Sequence, residues 1–405
     1  MKKLKILHAV ESYYPSVSGA PEVVRHLSER MVKAGHDVTV ATRKLPNRKS
    51  LVHNGVKIVE FNIRPTSPLG LSTVTGLAGD TKKYQDYLIK NKFDVVMTYA
   101  AQQWTTDLML PILDKIRAKK VIVPCGYSGL YDPMYKQYFK ELPTYLRKFD
   151  ASVYLSDDYR DINFARKNKL KNINLIANGA DENEFADLPT AAQKQKLREK
   201  YGIKGLMLMT VGNYTGEKGH AELIAILKRL PVRNVTLVSA GTATPGVGSY
   251  DMFKTQANLI NNNRSLLGKK VVMIDGTNRK LILQMLKCAD LFTFLSNIEA
   301  SPLVLYEANA AGIPFLATAA GNSAEIASWT GGGVIVKTHP IQNGRVRADL
   351  KDALWQITKL AYSSAKRRRL GTTGRATWKD KYTWEKLTND YLNLYQSLLD
   401  KKGLK

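Results

Sequence analysis

Short apolar runs alternate with longer segments of helical periodicity along the first part of the chain. Most of these runs are continuously apolar, which is typical of strands covered by helices on both faces. Their alternation with helices predicts βαβ units and a parallel sheet. The predicted strands span residues 5–10, 37–42, 56–61, 94–99, 120–124, 151–155 and 173–177.

The same pattern begins again after a polar stretch that is rich in turn residues. A segment from 180 to 197 carries helix-forming and polar residues but no strand-like run, so we predict the hinge there. A chain of 405 residues suits two domains of ordinary size. The second set of predicted strands spans 206–211, 235–240, 271–274, 290–295, 314–318 and 333–336. The predicted domains are 1–182 and 190–375.

Composition narrows the class of protein. Hydrophobic residues make up 44% and charged residues 24%, which is ordinary for a globular protein and argues against disorder. No apolar run approaches the roughly 18 to 20 residues of a membrane-spanning helix, and the opening run is too short for a secretory signal. The only cysteines, Cys125 and Cys288, offer neither a disulfide framework nor metal-ligand spacing, so we expect the reducing cytoplasm.

The net charge of +26 is the anomaly in the composition. It predicts attraction to anions, which include nucleic acid, acidic lipid headgroups and phosphorylated substrates. The basic tract 366–369 is also compatible with a solvated helix face. A nucleic-acid-binding protein is one alternative, but the sequence lacks zinc-finger spacing, an RRM signature and a basic helix with periodic base-reading residues.

The clearest chemical signal surrounds a predicted helix at 302–311. Ser301 is a favourable N-cap and Pro302 suits the first helical position. Gly312 is a plausible C-terminal cap, and Pro314 prevents continuation. Because this helix follows a strand, its N-terminus should lie at the carboxyl edge of the sheet, where ligands bind.

Phosphate is the ligand that this helix N-terminus favours. The amides of Leu303 and Val304, together with the helix dipole, would bind a diphosphate. Glu299 could then face a sugar, and Glu307 could accept hydrogen bonds from ribose hydroxyls. The alternative is that Glu299 is a loop charge and Glu307 a solvated helix residue.

The residues that carry a family resemblance are the Glu299 to Glu307 spacing with its small-residue helix, 318–326, 5–15, Ser18 to Glu22, 34–38, and 178–181 with Phe185. Together these segments resemble the retaining family 4 glycosyltransferases, and the resemblance covers nearly the whole chain. It implies the GT-B fold, with two Rossmann-like α/β domains facing each other across a cleft. It also implies that the aromatic-rich terminal helices, 376–405, pack back onto the first domain.

The resemblance also assigns roles to residues. It implies that Glu307 holds the ribose, that Glu299 contacts the transferred sugar, and that Lys218, in the loop 211–219, binds the diphosphate. A surface turn lysine is the alternative for Lys218. Gly19 would allow a close backbone approach to a substrate. The residues expected to support the diphosphate are Ser301, Pro302, Leu303 and Val304.

Three positions depart from the family pattern. Asn213 stands in the nucleotide-sugar loop where the family usually has arginine, so leaving-group stabilisation must rest more on other cations or on the helix terminus. Cys125 lies near the place where the family often has histidine, and we expect it to be a packed residue rather than a nucleophile. Ala20 replaces a usual glycine.

The function implied is retaining transfer from a nucleotide sugar, a UDP-sugar or GDP-sugar, to a lipid-linked or polysaccharide acceptor in cell-envelope glycan synthesis. We expect neither a metal nor a cofactor, because no Asp-x-Asp motif is present. An epimerase of the same fold is a second alternative. Transfer with retention is expected to proceed by same-face attack, without a protein nucleophile.

The segment 131–148 bears on location. Its lysines, Lys136, Lys140 and Lys148, are interleaved with aromatic residues in a pattern that could rest on an anionic bilayer. We therefore predict a cytoplasmic protein that is peripheral at the inner face of the membrane. The alternative is a buried aromatic cluster with solvated lysines.

Overall fold

The computed structural model describes residues 2–16, 19–66, 76–244, 246–263, 265–266 and 268–400. Ser18 of the predicted glycine loop and residues 401–405 of the predicted terminal segment lie outside this description. The chain forms two compact units. The second spans Gly179–Thr383, and the first takes the described residues on either side of it.

The described strands come first in chain order. They are β1 (Lys5–Ala9), β2 (Asp37–Arg43), β3 (Val52–His53), β4 (Val56–Phe61), β5 (Ile63–Pro65), β6 (Leu77–Gly79), β7 (Val95–Tyr99), β8 (Lys119–Val123), β9 (Ala151–Tyr154), β10 (Ile173–Leu175), β11 (Leu206–Val211), β12 (Val235–Gly241), β13 (Lys269–Asp275), β14 (Leu291–Phe294), β15 (Phe315–Ala317), β16 (Gly333–Ile335), β17 (Thr338–Ile341) and β18 (Arg345–Ala348).

The described α-helices follow the same order. They are α1 (Gly19–Lys33), α2 (Thr81–Lys90), α3 (Trp104–Asp107), α4 (Lys136–Leu146), α5 (Arg160–Lys167), α6 (Ala191–Lys200), α7 (His220–Arg229), α8 (Ser249–Asn262), α9 (Arg279–Cys288), α10 (Leu303–Ala310), α11 (Ser323–Thr330), α12 (Leu350–Tyr362), α13 (Ser364–Lys381) and α14 (Trp384–Asp400).

The first unit is built on a sheet with the order β10-β9-β8-β7-β1-β2-β4-β3. All its pairings are parallel except that of the edge strand β3 with β4. Every residue of β7 is buried, which explains the continuous apolar run: helices cover both faces of the strand.

The second unit has a parallel sheet with the order β13-β12-β11-β14-β15-β16. Strand order reverses direction at β11 and β14, so the carboxyl ends of these two strands meet at the switch point of the sheet. Strands β17 and β18 form a separate antiparallel hairpin.

The predicted strands of both units are present, each within two residues of the predicted ends. The sequence pattern missed β3, β5, β6, β17 and β18. These are short and carry polar or exposed residues, so they lack the apolar run that marks a buried strand.

The last helix belongs to the first unit. Trp384 stacks on His26 of α1 with ring centroids 5.2 Å apart, and the Tyr395 hydroxyl lies 3.2 Å from His8 Nε2 on β1. The chain changes unit at Trp384 and not at the predicted residue 376, because α13 continues to Lys381 and buries Trp378 in the second unit. The second unit likewise begins at Gly179, ahead of the predicted 190.

Candidate functional site

Two loops meet at the switch point of the second sheet. One follows β11 and runs through Lys218 to Gly219, and the other follows β14 and leads to Glu299. Their backbones are joined where Asn297 N donates to the Glu217 carbonyl, at 2.7 Å. The carboxyl edge of a parallel sheet at such a point is where α/β proteins bind ligands.

Gly219 allows these loops to approach each other. It has a φ of +76°, and a Cβ added there would lie 2.3 Å from the Leu295 carbonyl oxygen. Gly321 plays the same part on the other side of the second loop, where an added Cβ would lie 2.5 Å from the carbonyl oxygen of Ala300. The loop that carries Glu299 is therefore held between two glycines.

Lys218 and Glu299 form an ion pair. Lys218 Nζ donates to Glu299 Oε1 at 2.6 Å, and the two side chains are 27% and 12% exposed. The pairing puts a cation and a carboxylate from different loops side by side at the sheet edge. Neither is an isolated surface charge, as the alternatives for these residues would have it.

The helix α10 begins one residue later than predicted. Pro302, with φ −71° and ψ 113°, is the N-cap, and Leu303 is the first helical residue. The assignment of Ser301 as N-cap and Pro302 as first helical residue is therefore wrong. The φ that the proline ring fixes is compatible with the extended conformation of a cap as well as with a helix. Gly312 ends the helix with φ +71°, as expected.

The start of α10 keeps the features of an anion site. Its first residues, Leu303 and Val304, are only partly buried, whereas Ser301 and Pro302 behind them are buried. The first amides of a helix have no partner within the helix and carry the positive end of the dipole. They can receive a phosphate at the same sheet edge as Lys218 and Glu299.

Glu307 is buried inside α10, with 8% of its surface exposed. Arg279, the first residue of α9, donates to its Oε1 at 2.7 Å and to Glu184 Oε1 at 3.1 Å. Burial alone lowers the pKa of Arg279, but the two carboxylates outweigh it and raise the pKa above its usual value. Glu307 is thus a fixed, paired carboxylate and not the solvated helix residue of the alternative.

Sequence reasoning missed Arg279. The one available signal was a basic residue in the first turn of a helix, where the dipole disfavours a cation. Such a residue often has a carboxylate partner elsewhere in the fold, and here the partners come from distant segments.

Asn213, where the family usually has arginine, is held by Thr242. Its Oδ1 accepts a hydrogen bond from Thr242 Oγ1 at 2.7 Å, which leaves the Nδ2 hydrogens of this exposed side chain as donors. A guanidinium also reaches the loop, because Arg345 Nε lies 2.7 Å from Glu217 Oε1. Its hairpin is tied to the site where Val346 N donates to Asn297 O at 2.9 Å.

His220 follows Gly219 and is buried against Tyr214, with ring centroids 4.4 Å apart. Burial, with a further contribution from the Lys218 charge, lowers its pKa to about 4. The imidazole is therefore neutral near pH 7 and serves as packing beneath the loop.

The first unit holds the remaining predicted positions. Gly19 opens α1, and an added Cβ there would meet no atom of the described residues within 4 Å, so no contact in the described part of the chain requires glycine. Burial and the nearby Asp161 carboxylate raise the pKa of Cys125 to about 12. A thiol with so high a pKa is protonated near pH 7, which agrees with the expectation of a packed residue.

The segment 131–148 differs from the membrane-facing pattern predicted for it. Tyr135, Phe139 and Leu146 are buried in the core of the first unit, so these side chains are not available to a bilayer. Tyr131 and Met134 are exposed, at 53% and 45%. The helical spacing of the apolar residues reflected a core-facing side of α4.

Among the described residues, no group of three or more His, Cys, Asp or Glu side chains could hold a metal ion. Within the same ranges, no helix has the length and apolar character that crossing a bilayer requires.

Comparison with known proteins gives matches over both units. The family described as glycosyl transferases group 1 matches residues 166–375, and the one described as Glycosyltransferase Family 4 matches residues 17–184. An uncharacterized glycosyltransferase of Methanocaldococcus jannaschii is 26% identical over 422 aligned positions, which cover 99% of this chain and 100% of that protein.

Solved structures are similar over nearly the whole chain. Sucrose-phosphate synthase from Thermosynechococcus elongatus has a TM-score of 0.78 at 18% identity, covering 99% of this chain and 100% of the other. Anabaena HepE, in complex with UDP and glucose, has a TM-score of 0.76 at 16% identity, covering 97% and 100%. At these identities the likeness shows the fold, and it confirms the prediction of GT-B with two parallel-sheet α/β domains.

Proposed function

The chain belongs to the glycosyl transferases group 1 family, as the sequence resemblance predicted, and from that premise we propose a retaining transferase whose sugar donor is a nucleoside diphosphate sugar. The observation that carries the proposal is the Lys218 to Glu299 ion pair at the switch point of the second sheet, at the edge where α10 begins.

The diphosphate is the first group to be accommodated. Its negative charge meets the amides of Leu303 and Val304 and the ammonium group of Lys218. The Asn213 amide group adds a neutral donor at the loop. These groups neutralise the departing diphosphate without a metal ion or a cofactor, and Lys218 becomes more effective as negative charge develops on the leaving oxygen.

Glu307 is the residue proposed to bind the ribose. Arg279 donates to Oε1 of this carboxylate. In the proposed complex, Oε2 accepts hydrogen bonds from the ribose hydroxyls. A charge-assisted hydrogen bond of this kind contributes about 1.5 to 3 kcal/mol. A UDP-sugar is the donor that the likeness to HepE with UDP and glucose supports, and a GDP-sugar is the other class to test.

We propose that Glu299, which is paired with Lys218, contacts the transferred sugar. In the proposed reaction an acceptor hydroxyl attacks the anomeric carbon from the face that the diphosphate leaves. The carbon to phosphate-oxygen bond breaks, and the hydroxyl proton passes to the departing phosphate. Glu299 supports the positive charge on the sugar, and no protein nucleophile takes part.

The acceptor proposed is a lipid-linked glycan or a polysaccharide of the cell envelope, used by a cytoplasmic enzyme that is peripheral at the inner membrane face. The net charge of +26 supports an anionic partner of this kind.

A donor screen tests the proposal. Purified protein is incubated with UDP-, GDP- and ADP-sugars, and release of the nucleoside diphosphate and the anomeric configuration of the product are measured. We expect one nucleotide class to be used and the anomeric configuration to be kept. Inversion would contradict the retaining mechanism, and interconversion of the donor sugar without release of a nucleoside diphosphate would indicate an epimerase.

A further inference from the structure

Helix α12 carries an exposed stripe in which lysines alternate with large aromatic residues. Trp355 is 54% exposed and Tyr362 71% exposed, and Lys351 and Lys359 beside them are exposed as well. Spacings of four, four and three residues put these side chains on one side of the helix. The opposite side is buried in the core through Ala353, Ile357 and Leu360.

The two rings are held at the surface by contacts. Lys359 Nζ lies 3.8 Å from the centroid of the Trp355 ring. The Tyr362 hydroxyl donates to the Pro231 carbonyl at 2.7 Å. These contacts hold both aromatic side chains in an outward position. Exposed aromatic residues that occur together mark interaction surfaces more often than isolated ones do.

The basic tract in the first turns of α13 follows this stripe in the chain. Arg368 and Arg369 are exposed. Arg367 is not counted in this face, because its guanidinium donates to the carbonyls of Leu360 and Ala361 at the end of α12. The α12–α13 face is therefore defined by Lys351, Trp355, Lys359, Tyr362, Arg368 and Arg369.

The nearby charges make this face more positive. Arg229, at the end of α7, shares a shallow cavity of about 140 Å³ with Lys351. Asp352 follows Lys351 in the chain, and its Oδ2 accepts a hydrogen bond from the backbone amide of Lys337 at 2.7 Å. No acidic residue occupies the stripe itself.

We propose that the α12–α13 face docks on an anionic lipid bilayer. Tryptophan and tyrosine settle at the headgroup level of membranes, and lysine and arginine are attracted by the anionic surface. The inference rests on the proposed function for its reason, because a transferase with a lipid-linked acceptor must work at the membrane. It replaces segment 131–148, whose rings are largely buried, as the main membrane contact.

Co-sedimentation of the full chain with vesicles tests this. The vesicles are neutral phosphatidylcholine or mixtures with phosphatidylglycerol, at about 0.05 M and about 0.5 M NaCl. We expect binding to anionic vesicles that weakens with salt. The variant Lys359→Gln/Arg368→Gln/Arg369→Gln should bind about tenfold more weakly or worse.

A matched control removes the same number of charges elsewhere. In Lys136→Gln/Lys140→Gln/Lys148→Gln we expect vesicle binding within about twofold of the unaltered protein, because these lysines lie outside the proposed contact face. The net charge of the chain falls by the same amount in both triple variants, so a difference between them reports the local contact. Equal losses in the two triple variants would overturn the proposal. So would a wild-type protein that ignores anionic vesicles at low salt, or one that binds single-stranded RNA as tightly as vesicles through the same three residues.

Trp355 gives a second readout. Brominated lipids should quench part of the tryptophan fluorescence, and Trp355→Phe should remove that part; quenching that persists in the variant would overturn the proposed orientation. Affinity for free UDP and GDP is measured in parallel and should be unchanged in all variants. Vesicle binding without any nucleotide affinity would contradict the proposed function alone, whereas nucleotide affinity without vesicle binding would contradict this inference alone.

Discussion

Lys218 Nζ lies 2.6 Å from Glu299 Oε1, although the two residues are 81 positions apart in the chain. The pair joins the loops that follow β11 and β14, and each residue fixes the rotamer of the other before any substrate arrives. In the proposed function this pair positions together a cation for the leaving group and a carboxylate for the sugar, which is the arrangement that electrostatic catalysis requires.

Replacing Lys218 with alanine should weaken nucleoside diphosphate binding and lower turnover as well. In the proposed complex the ammonium charge contacts the diphosphate in the ground state and more strongly in the transition state. We expect a loss in kcat/KM of about a hundredfold, or about 2.7 kcal/mol. Steady-state kinetics and calorimetry with UDP measure both effects, and Lys218→Arg is the control that keeps the charge. Activity within about twofold of wild type would mean that Lys218 is merely a loop residue.

Replacing Glu299 with alanine should lower turnover without a matching loss of UDP affinity. Its proposed partner is the transferred sugar, so turnover should fall by about a hundredfold while the affinity for UDP changes by less than about threefold. Losing the carboxylate also frees the Lys218 charge for the diphosphate, which protects UDP affinity. Parallel losses of similar size in kcat and UDP affinity would rule out the role assigned to Glu299.

Replacing Glu307 with glutamine should weaken UDP binding by about 1.5 to 3 kcal/mol, because a neutral amide accepts less strongly from the ribose hydroxyls. Calorimetry with UDP measures the loss. Arg279→Gln should weaken UDP binding in the same direction, since it releases the Glu307 carboxylate from its fixed position.

Glu184→Gln is the matched control for this network. It removes the other carboxylate partner of Arg279 but no proposed ligand contact, so UDP affinity should change less than in Glu307→Gln. If Glu307→Gln folds and binds UDP as tightly as wild type does, Glu307 is not part of the nucleotide site.

Gly219→Ala should destabilise the second unit and the site together. The added methyl group would lie 2.3 Å from the Leu295 carbonyl oxygen, and the residue would also keep a positive φ. We expect a loss of about 3 kcal/mol or more in the free energy of unfolding, with weaker UDP binding.

Gly216→Ala is the control that separates the steric clash expected in Gly219→Ala from the cost of a positive φ. Gly216 has a similar φ of +82°, but an added Cβ meets no atom within 4 Å. Its alanine variant should lose only the conformational cost of about 1 to 2 kcal/mol. Denaturant unfolding of the two variants tests this, and equal losses would show that the approach of Leu295 is unimportant.

His8 should make the first unit sensitive to acid. Burial between Ser28 and Tyr395 lowers its pKa to about 3, from about 6.5 in the unfolded chain. The contribution of His8 to the free energy of unfolding is therefore complete above about pH 6.5. It is lost as the pH falls toward 3, because the unfolded chain binds the proton more readily.

The expected loss from His8 is about 2 kcal/mol at pH 5 relative to pH 7. Denaturant unfolding at both pH values measures it. His8→Gln should reduce the difference by that amount, whereas His339→Gln, at an exposed position on the β17–β18 hairpin, should not. An unchanged pH dependence in His8→Gln would contradict the assignment.

The sequence by itself determined the two parallel sheets and the helix that begins at the candidate site. Short, continuously apolar runs that alternate with helical segments are typical of strands buried on both faces, so their order along the chain already indicated two doubly wound units. Pro302 and Gly312 fixed the helix α10 to within one residue, because proline restricts φ and glycine tolerates the left-handed region. These are local effects of single residues and short patterns.

Only the tertiary structure decided which charges meet and which rings are exposed. The partners Lys218 and Glu299, or Arg279 and Glu307, are brought together by the order of the strands, and no local preference encodes that order. Similarly, aromatic residues at helical spacing are core in α4 and surface in α12, because the pattern defines a face of a helix but not what covers it. Long-range packing decides which helix face is buried. It also decides which charged side chains meet at the candidate site.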